Sequence, residues 1–449
     1  MDNFFALIHE NDFKMEYNNI WNNIKYVLGV VKMKGFLKNY RFSIILLGSI
    51  AIGAIIGILL GPKSSALKPF GDLFLNLMFM IITPLVFFSI TSAIASMNGM
   101  KRLGKIMISA FLIFIFTAFI ASVIGVIGAV IVDPARGINY SMLKEIVSTD
   151  TTVERVKHLG AVQQLVNTVT VSDFVSLFSK SNMLQLIVFS VIFGISAAMI
   201  GKKAEPVTKF LTSASNIMMK MVKIIMYYAP IGLGCYFAAL IGELGPQILK
   251  GYLRVFVLYI IIAMVYYFAF FTIYAFLSGG RKGIGLFWRN AVTPTITALA
   301  TCSSAASIPV NLEFTKKMLV PKDISETVIP LGANIHKDGS VIGGVMKITF
   351  LFGLFGRDMT SISSLLSIII VSFLVGAVMA AIPSGGMIGE MLILSVYGFP
   401  SELLPVIAII SVIIDAPATV LNSTGNTVSS MLISRLVEGK QWITNKLEI

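Results

Sequence analysis

The chain has 449 residues, of which 56% are hydrophobic and only 13% charged, with a mean hydropathy of +0.87. Soluble domains carry about a quarter charged residues, so this composition excludes an ordinary soluble domain and points to lipid. The net charge of +13 does not mark a nucleic-acid binder, because the basic residues sit between apolar runs, where they set topology and meet anionic membrane lipid.

In chain order, residues 1–41 read as a cytoplasmic amino-terminal arm with Lys14, Lys25, Lys32, Lys34, Lys38 and Arg41. Phe4, Phe5, Leu7 and Ile8 suggest an amphipathic helix on the membrane surface. Asp2, Glu10, Asp12 and Glu16 interrupt any apolar core of a cleavable signal, so none is expected. Apolar spans follow over 42–61, stopped by Pro62, over 70–97 with a kink expected at Pro84, and over 106–132. Residues 133–182 are polar and read as a long extracytoplasmic loop. Apolar character returns over 183–200, over 222–240 through Tyr227-Tyr228-Ala229-Pro230, and over 252–277.

Basic clusters follow several of these spans: Lys101, Arg102 and Lys105; Lys202 and Lys203; Arg281, Lys282 and Arg289; Arg435, Lys440 and Lys446. An inside amino terminus places all of them in the cytoplasm, with both chain termini. Cys235 and Cys302 form no CxxC pair, and the three histidines His9, His158 and His336 have no metal-ligand spacing. No nucleophile elbow is present, so neither an enzyme nor a bound cofactor is expected.

From residue 283 the pattern changes. Short apolar arms flank two breaks, one over 301–309 and one over 382–386, Ile382-Pro383-Ser384-Gly385-Gly386. Arms of ~10–18 residues are too short to span comfortably, which suggests two re-entrant helical hairpins. Paired interrupted segments of this kind point to a transporter's binding site. Between them lies Pro330-Leu331-Gly332-Ala333-Asn334-Ile335-His336-Lys337-Asp338-Gly339-Ser340. Three titratable groups in a row do not continue a lipid-facing helix, so unwound backbone that could bind a cation is expected here. The alternative is that Lys337 and Asp338 merely neutralise each other.

The last span, about 403–436, carries Asp415, Thr419, Asn422 and Asn426 on one helical face. A carboxylate at membrane depth marks an ion or substrate path by default, against the blander reading of a polar seam between helices. Glu390 and Lys347 are also expected at depth, and to pair; the functional alternative makes Glu390 a proton carrier.

The order of a serine-rich hairpin (Ser303 to Ser307), PLGANIHKDGS, a Pro-Ser-Gly-Gly hairpin and DAPATVLNSTGN resembles the dicarboxylate/amino acid:cation symporters, the glutamate transporter homologues. The likeness includes YYAPIG and covers nearly the whole chain, most strongly 283–440. It implies an all-α polytopic membrane protein with eight transmembrane helices and two re-entrant hairpins, assembled as a homotrimer in the cell inner membrane. Residues 42–282 would be mainly trimerisation scaffold, 283–440 the core of a transport domain that moves like an elevator, and 441–449 a cytoplasmic tail. By the same resemblance, Ser303 and Ser304 at the first hairpin tip, and Ile382, Ser384 and Gly385 at the second, would contact or close over substrate. Asp415 would hold the substrate's amino group, Asn422 its α-carboxylate and Thr419 a neighbouring polar contact. Asn334, His336, Lys337, Asp338, Ser340 and Asn426 would form the coupling-cation region, with Asp338 as a sodium ligand.

Four positions depart from the pattern. The family's Asn-Met-Asp-Gly-Thr reads His336-Lys337-Asp338-Gly339-Ser340, the arginine that pairs with an acidic side chain is Ala418, and two carboxylates near the sodium sites are Ser411 and Asn426. The expectation is therefore a symporter importing a small amino acid, neutral by preference, coupled to sodium and/or protons, with Lys337 as a tethered substitute for one cation. A dicarboxylate or acidic amino acid symporter is the alternative, and an anion channel a more distant one.

Overall fold

The computed structural model describes residues 33–95, 101–136, 170–179, 182–245, 247–379 and 385–443. Among them the chain is helical throughout, with no strand. The helices are α1 (Met33–Leu60), α2 (Lys68–Ala95), α3 (Lys101–Val132), α4 (Phe174–Leu177), α5 (Met183–Ile200), α6 (Glu205–Ile225), α7 (Ala229–Leu244) and α8 (Gln247–Val265). They continue with α9 (Phe271–Thr301), α10 (Ile308–Lys317), α11 (Lys322–Ile335), α12 (Asp338–Leu354), α13 (Ile362–Val378), α14 (Gly385–Tyr397) and α15 (Leu404–Glu438).

The boundaries follow local chemistry. Proline lies in the first two positions of α6, α7, α10 and α15, where its missing N–H costs nothing. Within α9, Gly280 takes a left-handed φ of 63° and breaks the rod into 271–278 and 281–301, a bend that a side chain would oppose. Five stretches are long and apolar enough to cross a membrane: Ile44–Ser92, Gly104–Val132, Leu184–Ile225, Ile248–Thr301 and Ser401–Glu438. The apolar helices Ala229–Glu243, Ile362–Val378 and Gly386–Tyr397 are shorter.

Two packing groups form. In one, α7 lies against α1 and α2, and α2 against α5 and α6. Small residues bring α1 and α7 into backbone contact: a Cβ on Gly53 would sit 2.2 Å from the carbonyl oxygen of Gly234. In the other, α12 and α15 are central and are wrapped by α3, α8, α9, α11, α13 and α14. Every residue of α12 except Gly353 is buried, the signature of a helix with no lipid or water face. Although α3 and α8 precede residue 283, they pack with the helices that follow it.

Two expectations are corrected. The apolar run 222–240 is not one element: α6 ends at Ile225, a turn covers Met226 to Tyr228, and α7 starts at Ala229 because Pro230 starts a helix better than it continues one. Residues 33–41 of the expected arm are helix continuous with the first span. The local unwinding expected within 330–340 takes the form of a two-residue break with helix on both sides. The amphipathic amino-terminal segment and most of the 133–182 loop lie outside the described residues.

Candidate functional site

Helix α11 ends at Ile335 and α12 begins at Asp338. Neither residue between them is helical: His336 is extended at φ −106°, ψ 105°, and Lys337 sits at φ −138°, ψ 58°. The break separates their side chains, the imidazole reaching Asn426 and the ammonium reaching Ser304. Just after it, α12 runs hard against α15. A Cβ on Gly339 would be 2.4 Å from the Ala418 carbonyl oxygen, so only glycine fits there.

On the imidazole side, His336 Nδ1 donates to Asn426 Oδ1 at 2.8 Å. Its Nε2 is 2.7 Å from Thr117 Oγ1 and 3.2 Å from Asp338 Oδ1. Thr117 Oγ1 also lies 3.2 Å from Asp338 Oδ1, while the Tyr266 hydroxyl donates to Asp338 Oδ2 at 2.9 Å, with the Tyr274 hydroxyl 3.1 Å behind it. The ring of Phe114 stacks on the imidazole at 4.4 Å. His336, Asp338 and Asn426 are each 1% exposed and Thr117 is fully buried, so protein donors rather than water satisfy the carboxylate. One donor remains unmatched, Asn426 Nδ2. Sequence reasoning missed Thr117, Tyr266, Tyr274 and Phe114. One of them, Tyr266, opens the π-helical turn Tyr266–Phe270 between α8 and α9, a device that re-aims side chains at functional sites.

On the ammonium side, buried Lys337 donates from Nζ to Ser304 Oγ at 3.2 Å. Ser304 is buried in the non-helical stretch between α9 and α10, the expected first hairpin break. That stretch opens with Cys302 in the left-handed region, φ 46°, a conformation costly for a residue with a Cβ. Ser303 accepts from the Ala306 amide at 3.2 Å and serves the turn itself.

The polar face of α15 connects the two sides. Asp415 is exposed and makes no hydrogen bond or ion pair among the described residues. Ala418 and Thr419 are buried one turn on. Asn422 holds Ser340 at both ends, its Oδ1 accepting from the Ser340 amide at 3.2 Å and its Nδ2 donating to Ser340 Oγ at 3.0 Å. Asn426 then reaches His336. Asn334 departs from the cation region expected of it: its side chain is exposed, and its Nδ2 donates back to the Pro330 carbonyl at 3.0 Å. Lys337 also departs from that region, because its ammonium faces the hairpin. Ile382 and Ser384 lie outside the described residues, and Gly385 is the first residue of α14.

A second buried charge pair lies between α12 and α14. Lys347 Nζ is 3.2 Å from Glu390 Oε1, with both side chains 2% exposed or less. The Ser411 hydroxyl donates to the same oxygen, and Glu390 Oε2 has no partner. The carboxylate that the resemblance places at position 411 on α15 is thus delivered from α14 instead.

Comparison with known proteins agrees with this architecture. The model of the Sodium:dicarboxylate symporter family matches residues 42–436. The Proton/sodium-glutamate symport protein of Bacillus caldotenax is 32% identical over 399 residues, 86% of this chain and 93% of that protein. The Proton/glutamate-aspartate symporter of Bacillus subtilis (strain 168) is 26% identical over 413 residues, 88% and 95% of the two chains. The C4-dicarboxylate transport protein of the same organism is 28% identical over 388 residues, 86% and 91% of the two chains. With a family match over nearly the full length and an all-helical fold centred on a polar break, the chain belongs to the Sodium:dicarboxylate symporter family.

Proposed function

We propose that this protein is a secondary active symporter that imports a small amino acid or related carboxylate, driven by sodium and/or protons. The observation that carries the reading is the exposed carboxylate of Asp415 at the open end of the α15 polar face, which has no hydrogen bond among the described residues and feels only the charges of Lys337 and Lys347. A carboxylate that becomes enclosed during transport needs a close cationic partner, and a substrate ammonium supplies it. Thr419, one turn further on, would supply a neighbouring polar contact, Asn422, two turns on, would take the substrate's α-carboxylate, and Ser304 would contact substrate from the first hairpin. The group around α12 and α15 would move as an elevator against the group around α1, α2 and α7, within a homotrimer of eight-span protomers in the cell membrane, both termini cytoplasmic.

Two readings of the substrate's side chain remain, and each has a residue behind it. Ala418 offers no cation, which favours serine, threonine or alanine, since an unpaired side-chain carboxylate there would lose several kcal/mol. Lys337 favours the other reading: its buried ammonium has one serine hydroxyl as its hydrogen-bond partner. It would replace the charge missing at Ala418 and admit an acidic amino acid or a C4-dicarboxylate, as the names of the relatives suggest. Thermal-shift screening of amino acids and dicarboxylates, followed by uptake into proteoliposomes under an imposed ion gradient, tests the proposal. Concentrative uptake of an amino acid supports it. Gradient-limited leak would instead mean a channel, and uptake of succinate with no amino acid would remove the role given to Asp415. Glutamate or aspartate uptake lost in Lys337→Met, with serine uptake unaffected, would establish the acidic reading.

A further inference from the structure

The family resemblance places a sodium ion at Asp338, near the position now held by Asn426. The side chains around Asp338 leave that ion neither ligands nor space. A hard cation takes about six oxygen ligands at about 2.4 Å. Here both Asp338 oxygens already have protein donors, Oδ1 from Thr117 and Oδ2 from Tyr266, and the imidazole Nε2 lies 3.2 Å from Oδ1. The gap from Asp338 to Asn426 is bridged by the imidazole itself, 3.2 Å from one and 2.8 Å from the other. Phe114 closes one face of the ring, and Gly425 lies beside its Cε1, where a Cβ would be 3.7 Å away.

We propose that the His336 imidazole is a built-in occupant of the cation position between Asp338 and Asn426, so that no sodium ion binds at Asp338. The substitute for the ion is therefore the ring of His336 and not the ammonium of Lys337, which the backbone break turns toward Ser304. The inference rests on the reading of this chain as cation-coupled. It concerns this one position, and leaves other coupling sites and proton coupling open.

Sodium binding to the purified protein is the test, read without substrate as the rise in thermal midpoint in sodium over choline. A ligand that binds the folded state stabilises it in proportion to its occupancy. The expected result is that Asp338→Asn leaves the unaltered chain's sodium response, whatever its size, unchanged. His336→Asn, which empties the position and leaves an amide oxygen there, gains a sodium-dependent rise that a further Asp338→Asn cancels. A sodium response of the unaltered chain that Asp338→Asn removes would overturn the proposal, as would a His336→Asn variant that folds and gains nothing. Should His336→Asn fail to fold, Asp338→Asn in the unaltered chain decides by itself. Absence of binding by any amino acid or dicarboxylate would count against the symporter reading, while the sodium measurement would still decide this one.

Discussion

On the imidazole side of the α11–α12 break, each oxygen of Asp338 has a protein donor. On the ammonium side, Asp415 has no donor among the described residues and Lys337 has a single hydroxyl, the two charges attracting each other without a hydrogen bond. The first arrangement is finished without a ligand; the second is not. A buried charge left without a partner costs several kcal/mol, so a protein keeps one only where something else arrives to pair with it. Burial alone does not separate the two sides, since Lys337 is buried like Asp338 while Asp415 is exposed. The Lys347–Glu390 pair stands between the two: closed by its own counter-charge at 3.2 Å, yet with one carboxylate oxygen unmatched.

The largest effect is expected where the site is open. Asp415→Asn should lower affinity for an amino-acid substrate at least roughly 100-fold while leaving the ligand-free thermal midpoint in place, because no internal bond is lost. Uptake assays and substrate-free melting on the same preparation check both halves; a variant that simply unfolds would place Asp415 with the structural groups.

Next comes the closed pair. Lys347→Met strands the Glu390 carboxylate and should destabilise the protein by about 3–5 kcal/mol. Combining it with Glu390→Gln should recover most of that loss, so a double-mutant cycle should show strong coupling. If the double variant instead folds normally and moves substrate without its ion, Glu390 is a proton carrier and the comparison must be redrawn.

Smaller again is Tyr266→Phe, which removes one donor from Asp338. A loss of about 1–3 kcal/mol in stability with unchanged substrate affinity is expected. A selective fall in affinity with no change in stability would show that the imidazole side is open after all.

The smallest effect is expected at Asn334, despite its place in the motif. Its side chain is exposed and bonds only its own helix, so Asn334→Ala should change stability by no more than about 0.5 kcal/mol and leave transport intact. Parallel melting and uptake curves would check this.

Much of the protein was legible before its structure. Periodicity and apolar run length located the helix 183–200 to the residue, the end of the third span at Val132 and the hairpin break after Thr301, because these depend on local backbone preference and on lipid excluding unpaired polar groups. The helical spacing of Asp415, Thr419, Asn422 and Asn426 was likewise fixed by the 3.6-residue repeat. The pairing of Lys347 with Glu390 followed from charge alone, since two isolated charges at depth are too costly to leave apart. Tertiary structure decided what no single segment holds. Whether Lys337 or His336 occupies the ground beside Asp338 depends on where a two-residue break turns each side chain, and on Thr117, Tyr266 and Asn426 arriving from three other helices. Those contacts span from 72 to 221 residues of sequence, a range over which neither propensity nor spacing carries information. The grouping of α3 with α12 and α15 has the same cause: helix order is written in the chain, but the neighbours of a helix are set by how their side chains fill the space between them.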